Sequence, residues 1–157
     1  MNDKPDRAII IAPPPLLVVL CIAAGFGAQY FKRVPLFSVV PPFHQPLYLG
    51  LFAVAVLILF AAIRGMIRHQ THPSPYKPTA ALVVEGVYRF TRNPIYVGFL
   101  LIVVGLAVAV NNAWLLLAAL ALFVLLHFGV VKREETYLSG KFGSAYSEYC
   151  KRVRRWI

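Results

Sequence analysis

The sequence predicts an all-α integral membrane protein of about four transmembrane helices, the third and fourth joined as a tight hairpin and followed by a cytosolic C-terminal helix. Three observations lead there. Hydrophobic residues make up 59% of the 157-residue chain and its mean hydropathy is +0.69, whereas soluble domains are roughly 45–50% apolar. The apolar residues fall in runs too long for strands. Only Asn111 and Asn112 interrupt the last of these runs, so the helices on either side must lie antiparallel. At roughly 20 residues per span, the whole chain, 1–157, reads as one membrane domain with no separate soluble unit.

The first span runs from about Pro13 to Phe31. Pro13, Pro14 and Pro15 sit at its start, where a helix tolerates proline because the first N–H groups have no intrahelical partner. The second runs from about Pro46 to Ile67, with Leu47 to Ile63 free of charge. The third begins at Pro94 and reaches Val110; the fourth runs from Ala113 to about Val131 and continues as a cytosolic helix. The sizeable polar loop is Arg64 to Asn93, and no internal repeat or low-complexity tract is evident.

Charge sets the orientation. With both termini cytoplasmic, four spans put Lys4, Arg7, Arg64, Arg68, Lys77, Arg89, Arg92, Lys132, Arg133, Lys141, Lys151, Arg152, Arg154 and Arg155 in the cytoplasm and only Lys32 and Arg33 outside. The competing reading, a cleaved signal peptide with Ala23 and Gly25 mimicking a cleavage site, leaves three helices and termini on opposite sides. The formal charge of +10 lies beside the spans rather than on an independent fold, which points to anionic lipid headgroups and away from nucleic acid. Cys21 falls in a span and Cys150 in the tail, so no disulfide is expected. His69 and His72 stand beside His-Pro turns and imply no metal.

The polar chemistry gathers in GVYRFTRNPIYVG, Gly86 to Gly98, and KREETYL, Lys132 to Leu138. Counting outward from the Asn111/Asn112 turn at equal rise, Pro94 lies level with about Gly129, and Glu134 and Glu135 project about one turn beyond it, into the layer of Arg92, Asn93 and the incoming Arg89 segment. Asn93 before Pro94 reads as an N-cap with proline at the first helical position, leaving a positive dipole end that welcomes a carboxylate. Two accounts fit. In one, Arg89 and Arg92 pair with Glu134 and Glu135 to fasten the hairpin, and Tyr88, Tyr96 and Tyr137 belong to an interfacial aromatic belt. In the other, the same groups hold a zwitterionic metabolite: arginine and the helix start take its carboxylate, a glutamate its ammonium or hydroxyls, and tyrosines flank its rings.

LVVEGVYRFTRNPIYVG, a span hairpin, then EETYLSGKFGSAYSEYCKRVRRWI closely resembles the isoprenylcysteine carboxyl methyltransferase and phospholipid methyltransferase superfamily of membrane-embedded enzymes that use S-adenosylmethionine. The resemblance covers roughly residues 82–157. Carried over by position, it implies that Leu82 and Val83 contact the cofactor, that Tyr88 lines its pocket, that Arg92, Asn93, Pro94 and Tyr96 occupy the RHPxY-like motif, and that Glu134, with Leu138 on the same face, is the cofactor-binding glutamate. Gly98 would permit close approach of the cofactor or of a neighbouring helix. Glu135, rotated by about 100 degrees, is expected to pair with an arginine at the surface.

The chain departs from that pattern. Asn93 stands where eukaryotic carboxyl methyltransferases have histidine, and Val130 about where they carry an arginine implicated in binding the acceptor. The resemblance therefore implies methyl transfer to a membrane-partitioned acceptor without choosing among a prenylcysteine-like carboxylate, a phospholipid amine, a small thiol or another amphiphile. An amine acceptor would need a base, and His127, seven residues before Glu134 and so on nearly the same helical face, is the candidate; the alternative is a polar residue satisfied by a neighbouring helix. Outside this family the sequence admits a membrane adaptor whose basic tail binds lipid or a partner, or a nicotinamide-dependent reductase, although no dinucleotide fingerprint is recognisable.

Under this topology, cysteines introduced at Ser74 and Ser144 should react with membrane-impermeant reagent from the cytoplasm and one at Ser38 from the opposite side. Labelling of all three from one side refutes the four-span arrangement.

Overall fold

The computed structural model describes residues 6–72, 74 and 77–157, so Lys4, counted above among the cytoplasmic charges, lies outside the described residues. All regular structure among the described residues is helical: α1 Pro14–Phe31, α2 His44–Arg68, a 3-10 turn Gly86–Arg89, α3 Pro94–Ala109, α4 Ala113–Leu126, a π-helical turn His127–Val131, α5 Lys132–Phe142 and α6 Ser144–Arg152. α1, α2 and the continuous run Ala113–Phe142 are long and apolar enough to cross a membrane. α3 is apolar but has 16 residues, about 24 Å at 1.5 Å per residue against a hydrocarbon core of about 30 Å.

Helix ends follow local chemistry. α1 opens with Pro14 at its first position. α2 begins two residues before the expected Pro46, which its first turn absorbs because no N–H is needed there. The helix expected beyond the fourth span is present as α5 but stops at Gly143, whose φ of +52° no β-carbon-bearing residue adopts easily, and resumes as α6.

The α3–α4 hairpin is the centre of the bundle. α2 packs against α3 and α1 against α4, so the first two helices flank the hairpin instead of forming a pair of their own. Asn111 takes the left-handed φ of +50° that the reversal requires. Asn112 caps α4 by accepting the Trp114 N–H at 2.9 Å. The same turn anchors the loop between α1 and α2: the Asn111 amide exchanges two hydrogen bonds with the Phe37 backbone, at 2.7 and 3.0 Å, and Trp114 Nε1 donates to Lys32 O at 2.7 Å. These bonds satisfy backbone groups at one end of the bundle and carry the chain across it.

With lipid as solvent, close packing rather than hydrophobic transfer joins the helices. Gly25 faces Leu115, Gly105 faces Phe52, and a Cβ built at Gly98 would stand 2.7 Å from Leu59 Cγ. Gly98 therefore serves the α2–α3 contact. Gly98→Ala should lower the thermal unfolding midpoint in detergent, by an overpacking cost of about 1–3 kcal/mol, whereas Gly50→Ala, with nothing within 4 Å of its would-be Cβ, should leave it unchanged or raise it. Equal midpoints would mean that α2 yields freely.

Candidate functional site

A recess opens at the end of the bundle where α3 begins and α4 passes into α5. It holds a cavity of about 130 Å³ within about 880 Å³ of space that includes open solvent. Of the ten residues expected to touch a cofactor, nine line it: Leu82, Val83, Tyr88, Arg92, Asn93, Pro94, Tyr96, Glu134 and Leu138. Gly98 does not, because it faces α2. His127 does not either.

The short turn after α2 explains how loop residues reach this place. Gly86, at φ +60°, starts the 3-10 turn that tucks Tyr88 inward at 8% exposure. The Tyr149 hydroxyl, from α6, donates to Tyr88 O at 2.7 Å and locks that turn. Burial pushes the Tyr88, Tyr146 and Tyr149 phenols well above their usual range, so they remain neutral hydrogen-bonding groups near neutral pH. Asn93 occupies the N-cap position before Pro94, but its side chain does not cap the helix. It donates instead to Arg155 O at 2.8 Å, while Arg92 N–H donates to Arg154 O at 3.0 Å and the Thr91 hydroxyl to Arg155 O at 3.2 Å. The C-terminal tail thus returns along the loop that precedes α3.

The two glutamates play different parts. Glu135 is bridged by Arg155 through both oxygens, at 2.9 and 2.7 Å, and lies 3.2 Å from Arg92 Nη1. Its side chain is 16% exposed and that of Arg92 12%, so this is a half-buried cluster rather than the surface pair expected from sequence. The Glu135 hydrogen bonds hold the Arg155 guanidinium firmly protonated. Arg92 also donates to Cys150, and its Nε is buried without a partner among the described residues. Glu134, one residue earlier, has no ion-pair partner among the described residues; it accepts one hydrogen bond, from the Tyr96 hydroxyl at 2.7 Å. The fastening account read from the sequence is therefore realised in part, with Glu135 paired to Arg92 and Arg155, while Glu134 lines the recess without an ion-pair partner among the described residues.

His127 was placed on the face of Glu134 by counting 3.6 residues per turn, and the π-helical turn His127–Val131 breaks that count. Its Nδ1 accepts from Trp156 Nε1 at 3.1 Å, and the imidazole stacks on the Trp156 ring. It is the satisfied polar residue of the two alternatives, held by the tail rather than by another span.

Several lining residues had no part in the sequence-based site. Tyr146 and Tyr149 carried a readable signal, two tyrosines one turn apart in SAYSEYC. Met66, Thr71, Thr79 and Ala8 carried none: the end of α2 brings in Met66, the loop after it Thr71 and Thr79, and the segment before α1 Ala8. Thr71 shows how: its hydroxyl exchanges hydrogen bonds with the Ala81 backbone at 2.9 and 3.0 Å and closes the loop upon itself.

Apolar helices long enough to cross a bilayer thus carry a charged, tyrosine-walled recess at one end, the architecture of a membrane protein. The chain belongs to the phospholipid methyltransferase family, which matches residues 46–145. It is similar to protein-S-isoprenylcysteine O-methyltransferase B of Arabidopsis thaliana, 41% identical over 75 residues, 46% of this chain and 36% of that one. The protein-S-isoprenylcysteine O-methyltransferase of Schizosaccharomyces pombe is 36% identical over 73 residues, covering 46% of this chain and 30% of that protein. An uncharacterized protein of Haemophilus influenzae is 34% identical over 62 residues, 40% of this chain and 98% of its own length. The matches to the two named methyltransferases thus span about a third of their lengths.

Without ligand, Glu135→Gln should destabilise the protein by about 1.5–3 kcal/mol, since it removes charged hydrogen bonds and leaves two guanidinium groups under-compensated. Glu134→Gln should leave stability unchanged or raise it, because it deletes a carboxylate without a counter-ion. Thermal unfolding of the two variants in detergent decides, and a larger loss for Glu134→Gln would make that residue structural.

Proposed function

We propose that the protein transfers a methyl group from S-adenosylmethionine to a membrane-partitioned acceptor, with four spans and both termini in the cytoplasm. The observation that carries the reading is Glu134: a carboxylate on the cavity wall, hydrogen-bonded by Tyr96 and without a cation among the described residues. Such a group favours a positively charged ligand, because the ligand supplies the missing counter-ion in a partly desolvated site.

The rest of the lining supports the same ligand. S-adenosylmethionine carries a sulfonium and an ammonium, a carboxylate, and an adenine ring. Glu134 and the tyrosine faces suit the cationic groups. The cluster of Arg92, Arg155 and Glu135 holds two positive charges against one negative, and this surplus, together with the start of α3, suits the carboxylate. Leu82, Val83 and Leu138 offer apolar surface for the ring. When bound, the sulfonium supplies an electrophilic methyl group. The chain's own part is to align that methyl with an acceptor arriving from the bilayer and to keep water from competing, which Pro94, Ile95 and Met66 on the apolar side of the recess can do. No general base is required of the protein for a carboxylate or thiolate acceptor. His127 is engaged by Trp156 and does not line the cavity, so an amine acceptor would deliver its proton elsewhere.

Membership of the family favours an enzyme over the adaptor and the reductase. Purified protein in detergent should bind S-adenosylmethionine and S-adenosylhomocysteine saturably, with no response to nicotinamide dinucleotides, in calorimetric titration. Glu134→Gln should weaken S-adenosylmethionine binding by about 1.5–3 kcal/mol, roughly 10- to 150-fold. Absence of any response in a folded sample overturns the reading, and an unchanged affinity in Glu134→Gln overturns the role given to that residue.

A further inference from the structure

The recess has one wall that this chemistry does not use. Residues 6–12 run beside the π-helical turn and α5, and Ala8, 4% exposed, closes part of the cavity. The segment is attached at two unlike ends. At one, the Ile11 N–H donates to Gly129 O at 3.1 Å, and a Cβ on Gly129 would collide with the Ile11 side chain. At the other, the Asp6 carboxylate accepts from the Tyr137 hydroxyl at 2.9 Å and from Lys141 Nζ at 2.7 and 2.8 Å. Between them the Arg133 guanidinium donates to Ile9 O at 3.1 Å.

The Ile11 end is packed against a fully buried stretch of helix. The Asp6 end is open: the Asp6 side chain is 59% exposed and Lys141 25%, where water and salt weaken an ion pair most. The cavity needs such a weak point. Its volume of about 130 Å³ falls short of the roughly 300–1,000 Å³ typical of small-molecule sites, so a nucleoside-sized ligand is better accommodated when a wall moves outward. The opposite walls are tied by the half-buried Glu135 cluster and by the bond from Tyr149 to Tyr88. Tyr137 joins the weak wall to the loop after α2, because its hydroxyl also accepts the Thr79 N–H at 3.2 Å.

We propose that residues 6–12 form a gate over the cavity, hinged where Ile11 meets Gly129 and latched where Asp6 meets Tyr137 and Lys141, and that release of the latch governs ligand exchange. This rests on the reading of the cavity as the S-adenosylmethionine site. A gate exposes both free and bound states, so opening it changes the rates in both directions more than the affinity.

The test is the rate of release of radiolabelled S-adenosylhomocysteine into an unlabelled excess, with the association rate measured alongside, for the intact protein in detergent. Asp6→Ala, at a solvent-exposed position, and Lys141→Ala as a second variant should each speed association and dissociation by roughly three- to tenfold and shift Kd by less than about twofold, as expected for loss of an exposed latch. Raising the salt concentration should speed exchange in the parent protein and not in Asp6→Ala. Unchanged rates in both variants, or weaker binding carried by dissociation alone, overturn the gate while leaving the cofactor site standing. Failure of the parent protein to bind either compound overturns the site, and the gate with it.

Discussion

The two-residue reversal at Asn111 and Asn112 is the constraint on which the rest of the structure depends. By turning α3 and α4 antiparallel with no slack, it fixes the level at which α3 starts opposite the end of α4, and so brings Arg92, Asn93 and Tyr96 into the layer of Glu134 and Glu135. A longer loop would let the two helices slide by a turn, about 5.4 Å, enough to separate Tyr96 from Glu134. The turn is held at both ends of its own sequence: Asn111 accepts the strained φ and ties down Phe37, and Asn112 caps α4. One pair of asparagines thus sets the hairpin and positions the crossing loop between α1 and α2.

At the other end of the hairpin, charge is divided unequally between adjacent residues. Glu135 has two arginines and Glu134 has none among the described residues. About 100 degrees of helical rotation separates them, so one carboxylate can knit the loop before α3, α5 and the C-terminal tail together while its neighbour looks into the recess. The Tyr96 hydroxyl holds the Glu134 carboxylate in place without neutralising it.

Much of the site was legible because it lies on two segments whose separation is set by a rigid hairpin. Equal rise on both helices was enough to place Arg92 and Asn93 in the layer of Glu134 and Glu135, and the family resemblance added Tyr96. Gly98 makes the close approach to a neighbouring helix that was one of its two expected roles, facing Leu59 on α2, whereas the same arithmetic failed for His127, where five residues of π-helix intervene. It also put Glu135 at the surface, since nothing in the order of residues says that the chain's last five residues fold back over it.

By itself the sequence determined the solvent, the helices, the hairpin and the family. Apolar run length, proline and asparagine placement and the GVYRFTRNPIYVG and EETYL blocks are local, and local chemistry decides them. Tertiary structure alone decided which glutamate is neutralised, that Asn93 holds the tail instead of capping α3, and that residues 6–12 and the loop after α2 complete the recess. These are contacts between segments 20 to more than 130 residues apart, and they depend on where loops without periodicity run. Loop paths are set by hydrogen bonds such as Thr71 to Ala81 and Tyr137 to Asp6, whose partners no spacing rule connects in advance.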